Sequence, residues 1–376
     1  MAGCWLALIF VLIQGVVAFF FMKYAARNYA RTLIITFISK WDVLMEYYVH
    51  ILSVGDADAI VINYQDDNTR WWTIVIDAGN VGDGEEVKRY IKHIENGCFI
   101  IDYAVCTHPD KDHKGGFFDL YNDATVVISN FVFANPENIL SCDWRRLNYQ
   151  TGLLAQKGKE TYNHPTDSSK NLIDIIRRSN SQIYQWSYNM DFVGVPLKIV
   201  GPEDHFLQDS IYEMALDFAE ITDEADAELY NEDEILTDKE VKSVMDTEIE
   251  TSATNKASLI LLFHPGNHKF LLAGDACAKS LHDVVDNLGD EVKNCILKVP
   301  HHGSKHNLTT DVIDLLAPTS ATISCKGSKK HPNSGVVYWL SKYCDVYSTA
   351  KSGTLTYQSM PVKYPAEPLK RKQIIQ

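Results

Sequence analysis

From Tyr47 onward the chain alternates short apolar runs with polar breaks. Residues 47–63 read as two strands around Ser53-Val54-Gly55, and residues 71–76 as another strand, broken by Asp77-Ala78-Gly79. Residues 85–94 have helical spacing, and residues 103–106 form a short apolar strand. Further strands are expected at 125–133, 195–200, 258–263 and 269–273, the last running into Gly274-Asp275. Residues 278–288 predict a helix. Residues 296–299 lead into Pro300-His301-His302-Gly303-Ser304, and 321–324 precede a Gly-Ser-Lys-Lys loop and His331-Pro332. No internal repeat interrupts this rhythm of strand, loop, helix and strand, which predicts an α/β fold with layers on both sides of a sheet.

The first 44 residues follow a different pattern. Residues 4–22 (CWLALIFVLIQGVVAFFFM) are a 19-residue run without a charge, long enough to cross a hydrocarbon core. Lys23, Arg27, Arg31 and Lys40 follow it and no basic residue precedes it. The expectation is a single-pass membrane anchor with the basic flank and the rest of the chain in the cytoplasm. The alternative is that residues 1–44 are a non-native leader and that a soluble cytoplasmic protein starts at Met45, where the globular pattern begins. The main domain is then 45–358, and 359–376 is a loose basic tail.

Composition changes this picture in one respect. The 376 residues are 46% hydrophobic and 22% charged, a balance that excludes a disordered chain and suits a large packed core. Eight cysteines (Cys4, Cys98, Cys106, Cys142, Cys277, Cys295, Cys325 and Cys344) are scattered without a CxxC pair, which reads as reduced thiols in a cytosolic setting. The net charge of −14 belongs to one segment: residues 203–250 hold 18 acidic residues against Lys239 and Lys242, and the rest of the chain sums to +2. Ile211, Met214, Ala215 and Phe218 in that segment have helical spacing, so an amphipathic helix followed by a mobile acidic excursion is expected. Such an insertion screens a site or engages a basic protein partner.

The candidate chemistry lies where apolar strands end. His108, Asp110, Asp112 and His113 fall within six residues after the run Ala104-Val105-Cys106, and Asp77, Asp275, His301, His302 and His331 also follow strands. Side chains leaving strand ends at one sheet edge converge on one place. Imidazoles and carboxylates suit zinc, manganese or iron, and a carboxylate can bridge two ions. In an extended loop His108 and Asp110 share one side, and Asp112 and His113, after a turn, face a second ion. Gly115-Gly116 lets the backbone pass close to the metals.

These pieces resemble the metallo-β-lactamase superfamily, and within it the hydrolase domain attached to ComEC-type competence proteins. The matching segments are HILSVGDADAIVI, IDAGN, THPDKDHKGG, NKASLILLF, FLLAGD, LKVPHHGS, the His331-Pro332 loop and VYSTAKSGTLTY, in family order from Tyr47 to Tyr357. The resemblance implies an αββα sandwich, two β-sheets packed together with helices on the outer faces. It also implies a metal-dependent hydrolase with two divalent ions, zinc or manganese, cleaving phosphodiester bonds in DNA or a small nucleotide by metal-activated hydroxide. The alternative is a non-catalytic metal-binding or interaction module on the same fold.

The implied metal ligands are His108, Asp110, Asp112, His113, Asp275, His301 and His331, with Asp77 orienting a metal-binding histidine. Asp112, Asp275 and His302 are the catalytic candidates, and Ser304 and Lys305 the contacts for an anionic substrate, with Lys298 a weaker one. Two departures matter. Asp110 stands where the commoner HxHxDH run has its middle histidine, giving an oxygen-richer site. No counterpart is found for the isolated histidine that many relatives carry before the GD aspartate; His164 and His205 lie in that interval, in polar loops.

Overall fold

The structure is a computed structural model that describes residues 46–142, 150–216, 236–247, 251–327, 331–359 and Leu369. The chain divides into two units between Met45 and Glu46, and the second holds all the described residues. Sixteen strands are described: β1 (Tyr47–Ile51), β2 (Ala59–Gln65), β3 (Trp71–Ala78), β4 (Ile94–Glu95), β5 (Cys98–Val105), β6 (Val126–Phe133), β7 (Asn163–His164), β8 (Asp167–Asn171), β9 (Gln182–Gln185), β10 (Leu197–Gly201), β11 (Ile260–Phe263), β12 (Phe270–Leu272), β13 (Ile296–Lys298), β14 (Ser320–Ile323), β15 (Val346–Ser348) and β16 (Leu355–Gln358). One sheet runs β16-β1-β2-β3-β5-β6-β9 with β4 beside β5, a second runs β10 to β15 in order, and β7-β8 form a small hairpin.

Both large sheets are mixed. β1, β2 and β3 pair antiparallel, then β3, β5, β6 and β9 pair parallel. The second sheet repeats the scheme, antiparallel through β12 and parallel from β12 to β15. Parallel neighbours need crossovers, and helices supply them: Lys111–Asn122 and Leu172–Arg178 over the first sheet, Ala278–Leu288, Thr310–Leu316 and Ser334–Leu340 over the second. Because the core strands are covered on both faces, they read as continuous apolar runs rather than alternating ones. Along β2, Ala59 and Val61 pack with Val87, Phe117 and Phe118 under the helices, while Ile60 and Ile62 are buried on the other face. Aromatic side chains fill the space between the sheets: Tyr47 of β1 lies 5.9 Å from Phe263 of β11 and from Phe270 of β12, and Tyr357 of β16 lies 5.6 Å from Phe270. Two mixed sheets face to face with helices outside make an αββα sandwich, the architecture the sequence led us to expect.

Several local expectations are corrected. The helix expected over 85–94 is Gly84–Arg89, because Asn96-Gly97, both at positive φ, turn the chain into the β4-β5 hairpin. The acidic segment is not all excursion. After the helix Asp204–Leu216, a second helix Asp238–Met245 opens with a Thr237/Glu240 capping box and buries Val241 and Met245 in the second core. Residues 217–235, with Phe218, and 248–250 lie outside the described residues. In the tail expected to be loose, Leu369 is buried and its N–H donates to Val346 O at 2.7 Å.

The membrane anchor is also corrected. Among the described residues no helix is long and apolar enough to cross a membrane. Residues 4–22, on which the anchor and the single-pass arrangement rested, lie outside the described residues.

Candidate metal centre

Parallel register puts several strand ends side by side. Ile76 of β3 pairs with Val105 of β5, so Asp77 and the Thr107-His108 turn leave the first sheet together. Leu272 pairs with Lys298 and Lys298 with Thr322, so Asp275, His301-His302 and Ser324 leave the second sheet at neighbouring points. The backbone there is unusual: Asp77, His301 and His302 have φ of 53°, 44° and 53°. Left-handed conformations at non-glycine residues persist only where surrounding contacts over-determine them.

Those contacts orient the imidazoles. His113 Nδ1 donates to Asp77 Oδ2 at 2.8 Å, and Asp77 also accepts from Thr107 N at 2.8 Å and Thr107 Oγ1 at 2.7 Å. Since the Thr107 hydroxyl gives its proton to Asp77, it accepts from His108 Nδ1 at 3.0 Å. His302 Nδ1 donates to Ser324 O at 2.9 Å, and His301 Nδ1 to Asn307 Oδ1 at 2.9 Å. All four rings are thereby set with Nδ1 engaged and Nε2 turned toward the carboxylates, the tautomer a metal-binding histidine needs.

The inward atoms form two sets that share His113. His108, His113 and Asp275 make one, and Asp112, His113 and His302 the other, each with its ligand atoms within 4.8 Å of one another. His113 Nε2 lies 3.4 Å from Asp275 Oδ2 and 3.7 Å from Asp112 Oδ2, and His302 Nε2 lies 3.2 Å from Asp112 Oδ2. His301 Nε2 and His108 Nε2 each approach Asp275 Oδ2 to 3.8 Å. This differs from the pairing read off an extended loop. The helix Lys111–Asn122 begins inside the motif, so His113 turns back beside His108, with ring centroids 4.1 Å apart. Asp110 stays at the rim, 39% exposed, 3.5 Å from His108 Nε2 and accepting from Thr254 Oγ1 at 3.2 Å.

The donor set fits cations. His108 Nε2, His113 Nε2 and Asp275 Oδ1 are buried without a hydrogen-bond partner, and such atoms are expensive unless something else satisfies them. Electrostatics agree. Burial disfavours charge on His113, yet Asp275, Asp77 and Asp112 push its pKa well above the ordinary value. Burial likewise opposes the charge of Asp275, and the histidines beside it, His113 and His301 foremost, hold its carboxyl well below the usual range. For His302 the same burial is outweighed by its bond to Asp112 and by the Asp275 and Asp58 charges, which raise it to about 9. Protons on imidazoles thus balance the buried carboxylates, and divalent ions are the natural replacement. The clustered sets are consistent with a binuclear site.

The remaining expected residues take varied places. His331 stands nearby, its ring 5.5 Å from that of His301 and 5.9 Å from that of His302, with Nδ1 buried and unpartnered; it belongs to neither set. Ser304 is buried and accepts from His306 N at 3.4 Å, while Lys305 is half-buried. Lys298 is no substrate contact: it is 1% exposed and its Nζ donates to Asp58 Oδ2 at 2.6 Å. His164 packs edge-on against Phe118 at 4.7 Å. Gly115 and Gly116 serve the approach of their helix to the turn after β3, not to the metals: a Cβ would fall 2.3 Å from Val81 N and 2.0 Å from Ala78 O respectively.

Sequence reasoning missed Asp58, Asn255 and Asn307. Asn255 Nδ2 lies 3.3 Å from His301 Nδ1, and Asn307 Nδ2 donates to Asp275 O at 3.0 Å. Asp58 precedes a strand instead of following one. Since β2 is antiparallel to β3, its start lies at the same edge as the end of β3, and that reversal was the signal available for it.

No family model matches the chain. ComE operon protein 3 of Bacillus subtilis (strain 168) is 30% identical over 112 residues, 29% of this chain and 14% of that protein. Among solved structures, Zn(2+)-bound PqqB from Methylobacterium extorquens superposes with a TM-score of 0.41 at 12% identity, covering 82% of this chain and 99% of that one. CmlA, a diiron β-hydroxylase from Streptomyces venezuelae, superposes with a TM-score of 0.36 at 12% identity, covering 78% of this chain and 47% of that one. A metallo-β-lactamase superfamily protein from Sulfolobus tokodaii gives 0.31 at 13% identity, covering 71% of this chain and 83% of that one. The chain spans a small part of the curated relative and about half of the hydroxylase.

Proposed function

We propose that the chain binds two divalent cations in the overlapping ligand sets around His113, which itself serves one of them, and uses them to hydrolyse a phosphodiester. The observation that carries this reading is the orphaned trio of His108 Nε2, His113 Nε2 and Asp275 Oδ1, buried at the junction of the two sets. Two ions so held supply Lewis acidity, a lowered pKa for water and charge neutralisation at a phosphoryl centre. His108, His113 and Asp275 would hold the first ion, and Asp112 and His302 the second; His113 has a single ligating nitrogen, Nε2, because its Nδ1 is bonded to Asp77, and so it serves one ion. Asp77 keeps His113 in its ligating tautomer. Asp112, 22% exposed and bonded to His302, is at the rim where a carboxylate can take a proton from water. Oxygen and nitrogen donors together suit zinc or manganese. Asp110 and His301 at the same rim extend the contacts available to a substrate. The ComEC-type resemblance supports DNA or a nucleotide as that substrate.

A second reading is a metal-binding module without catalysis. The depth of the centre favours it, since His108 and His113 are 0% exposed and Asp275 3%, and the ligand sets by themselves reach metal binding and no further. Elemental analysis of the purified chain, followed by turnover of bis(p-nitrophenyl) phosphate, separates the two. We expect two ions per chain and turnover lost in Asp275→Ala. Two ions with no turnover of that ester, DNA or cyclic nucleotides supports the module, and no metal uptake refutes both.

A further inference from the structure

The second ligand set is built from both halves of the sandwich. Asp112 and His113 come from the first sheet's side and His302 from the loop after β13. Burial of apolar faces is non-directional and does not by itself specify where the polar atoms of one sheet stand relative to those of the other. A centre that spans them needs a directional connection, and one lies directly behind it.

Lys298 Nζ, at the end of β13, donates to Asp58 Oδ2 at 2.6 Å and to Val299 O at 3.0 Å, with both charged side chains essentially inaccessible (0% and 1%). Asp58 is also tied to the first half by its backbone: its N–H donates to Asp112 O at 3.1 Å and its carbonyl accepts from Gly79 N at 2.8 Å. Its second carboxylate oxygen is buried without a hydrogen bond, 3.8 Å from His302 Nδ1. One residue therefore touches the segment of Asp112, the turn after Asp77 and the strand that delivers His301 and His302.

Asp58, Asp77 and His113 also make a third cluster of metal-capable atoms. It is not a third cation site, because Lys298 already neutralises Asp58 and Thr107 and His113 occupy Asp77. Stability alone does not account for the pair either. Replacing a buried ion pair with apolar groups is often neutral or stabilising, so what this pair contributes is sought in the geometry it holds.

We propose that Asp58 and Lys298 are positioning residues that clamp the two halves together and thereby set the Asp112–His302 half of the centre. This rests on the two-ion reading above. The test compares wild type with Asp58→Asn/Lys298→Met, which keeps both shapes and removes both charges, and with each single variant to complete the cycle. Zinc and manganese binding is measured by calorimetry and elemental analysis, alongside thermal unfolding of the metal-free proteins. Wild type should take two ions. The double variant should unfold within a few degrees of wild type yet bind one ion tightly and the other at least ~10-fold more weakly, the size of effect expected when a supporting partner is lost. Loss of the weaker ion should follow Asp112→Asn in the same assay. Two ions bound by the double variant with wild-type affinity overturn the proposal, as does equal weakening of both. Wild type that takes fewer than two overturns the two-ion reading first. If the double variant does not fold, Lys298→Arg, which keeps the charge and changes its reach, must show the selective loss or the clamp is refuted.

Discussion

Gly116→Ala places the close approach of the motif helix to the first sheet under direct strain. In an exposed helix this change favours folding by about 1 kcal/mol through helix propensity. Here the new Cβ would lie 2.0 Å from the backbone oxygen of Ala78 and 3.0 Å from its carbonyl carbon. An ordinary C···O contact is about 3.3 Å, so helix or turn must give by more than about 1 Å. Overpacking of a buried contact costs roughly 1–3 kcal/mol, and a backbone neighbour that cannot rotate away puts this site at the upper end. The net expectation is a loss of about 2 kcal/mol. The displacement also reaches the centre, because His113 is one turn back on the same helix and Asp77 immediately precedes Ala78. Metal–ligand distances tolerate only about ±0.2 Å, so cation affinity should fall with stability. Urea unfolding of metal-free protein gives the first quantity and calorimetric titration with zinc or manganese the second. Lys111→Ala, on the exposed first turn of the same helix, serves as the control. A Gly116→Ala protein stabilised by about 1 kcal/mol, with unchanged metal affinity, would refute the reasoning.

Three further outcomes are expected. Asp77→Asn should weaken metal binding roughly 10–100-fold while leaving the chain folded, measured by competition with a chromogenic chelator. In the metal-free protein His302 keeps its proton to about 9, and a cation must displace it together with the proton that the surrounding carboxylates hold on His113; affinity should climb by roughly tenfold or more per pH unit toward that value. The sign follows from a raised pKa: the proton stabilises the metal-free fold below the unfolded value and is lost as pH rises through about 9. His50 behaves oppositely. Burial and then the nearby Lys92 charge lower it to about 4, so the unfolded chain binds the extra proton first and stability falls as pH drops from about 6.5 toward 4, by up to about 3 kcal/mol. His50→Gln should flatten that limb of a pH series of urea midpoints.

How much of this was legible in the sequence depends on which forces are local. Strand and helix positions came from apolar runs, and the Ala278–Leu288 helix matches its expected bounds. Parallel register then explains why residues at strand ends meet. What the reading lacked is pairing. Asp58 and Lys298 are 240 residues apart, and each alone looks like a turn acid or a surface lysine. The sharing of His113 was hidden because a histidine in an extended loop and one in the first turn of a helix point in different directions, and six residues do not reveal which holds. Left-handed φ at His301 and His302 is imposed by the loop's surroundings, with no glycine at either position to announce it.

The pairing of β16 with β1 sets Tyr48 opposite Gln358, and this has a kinetic consequence. The edge of the first sheet cannot close until nearly the whole domain has left the ribosome, and Tyr357 must arrive to bond Thr322 of the other sheet at 2.6 Å. Contacts between such distant segments are slow to form, since a long loop must close before they repay its lost entropy. The half-centre carrying His108 and His113 is therefore synthesised long before its partner carrying Asp275 and His302. Until then a nascent chain holds only part of a ligand set, and tight metal capture belongs among the last events of folding.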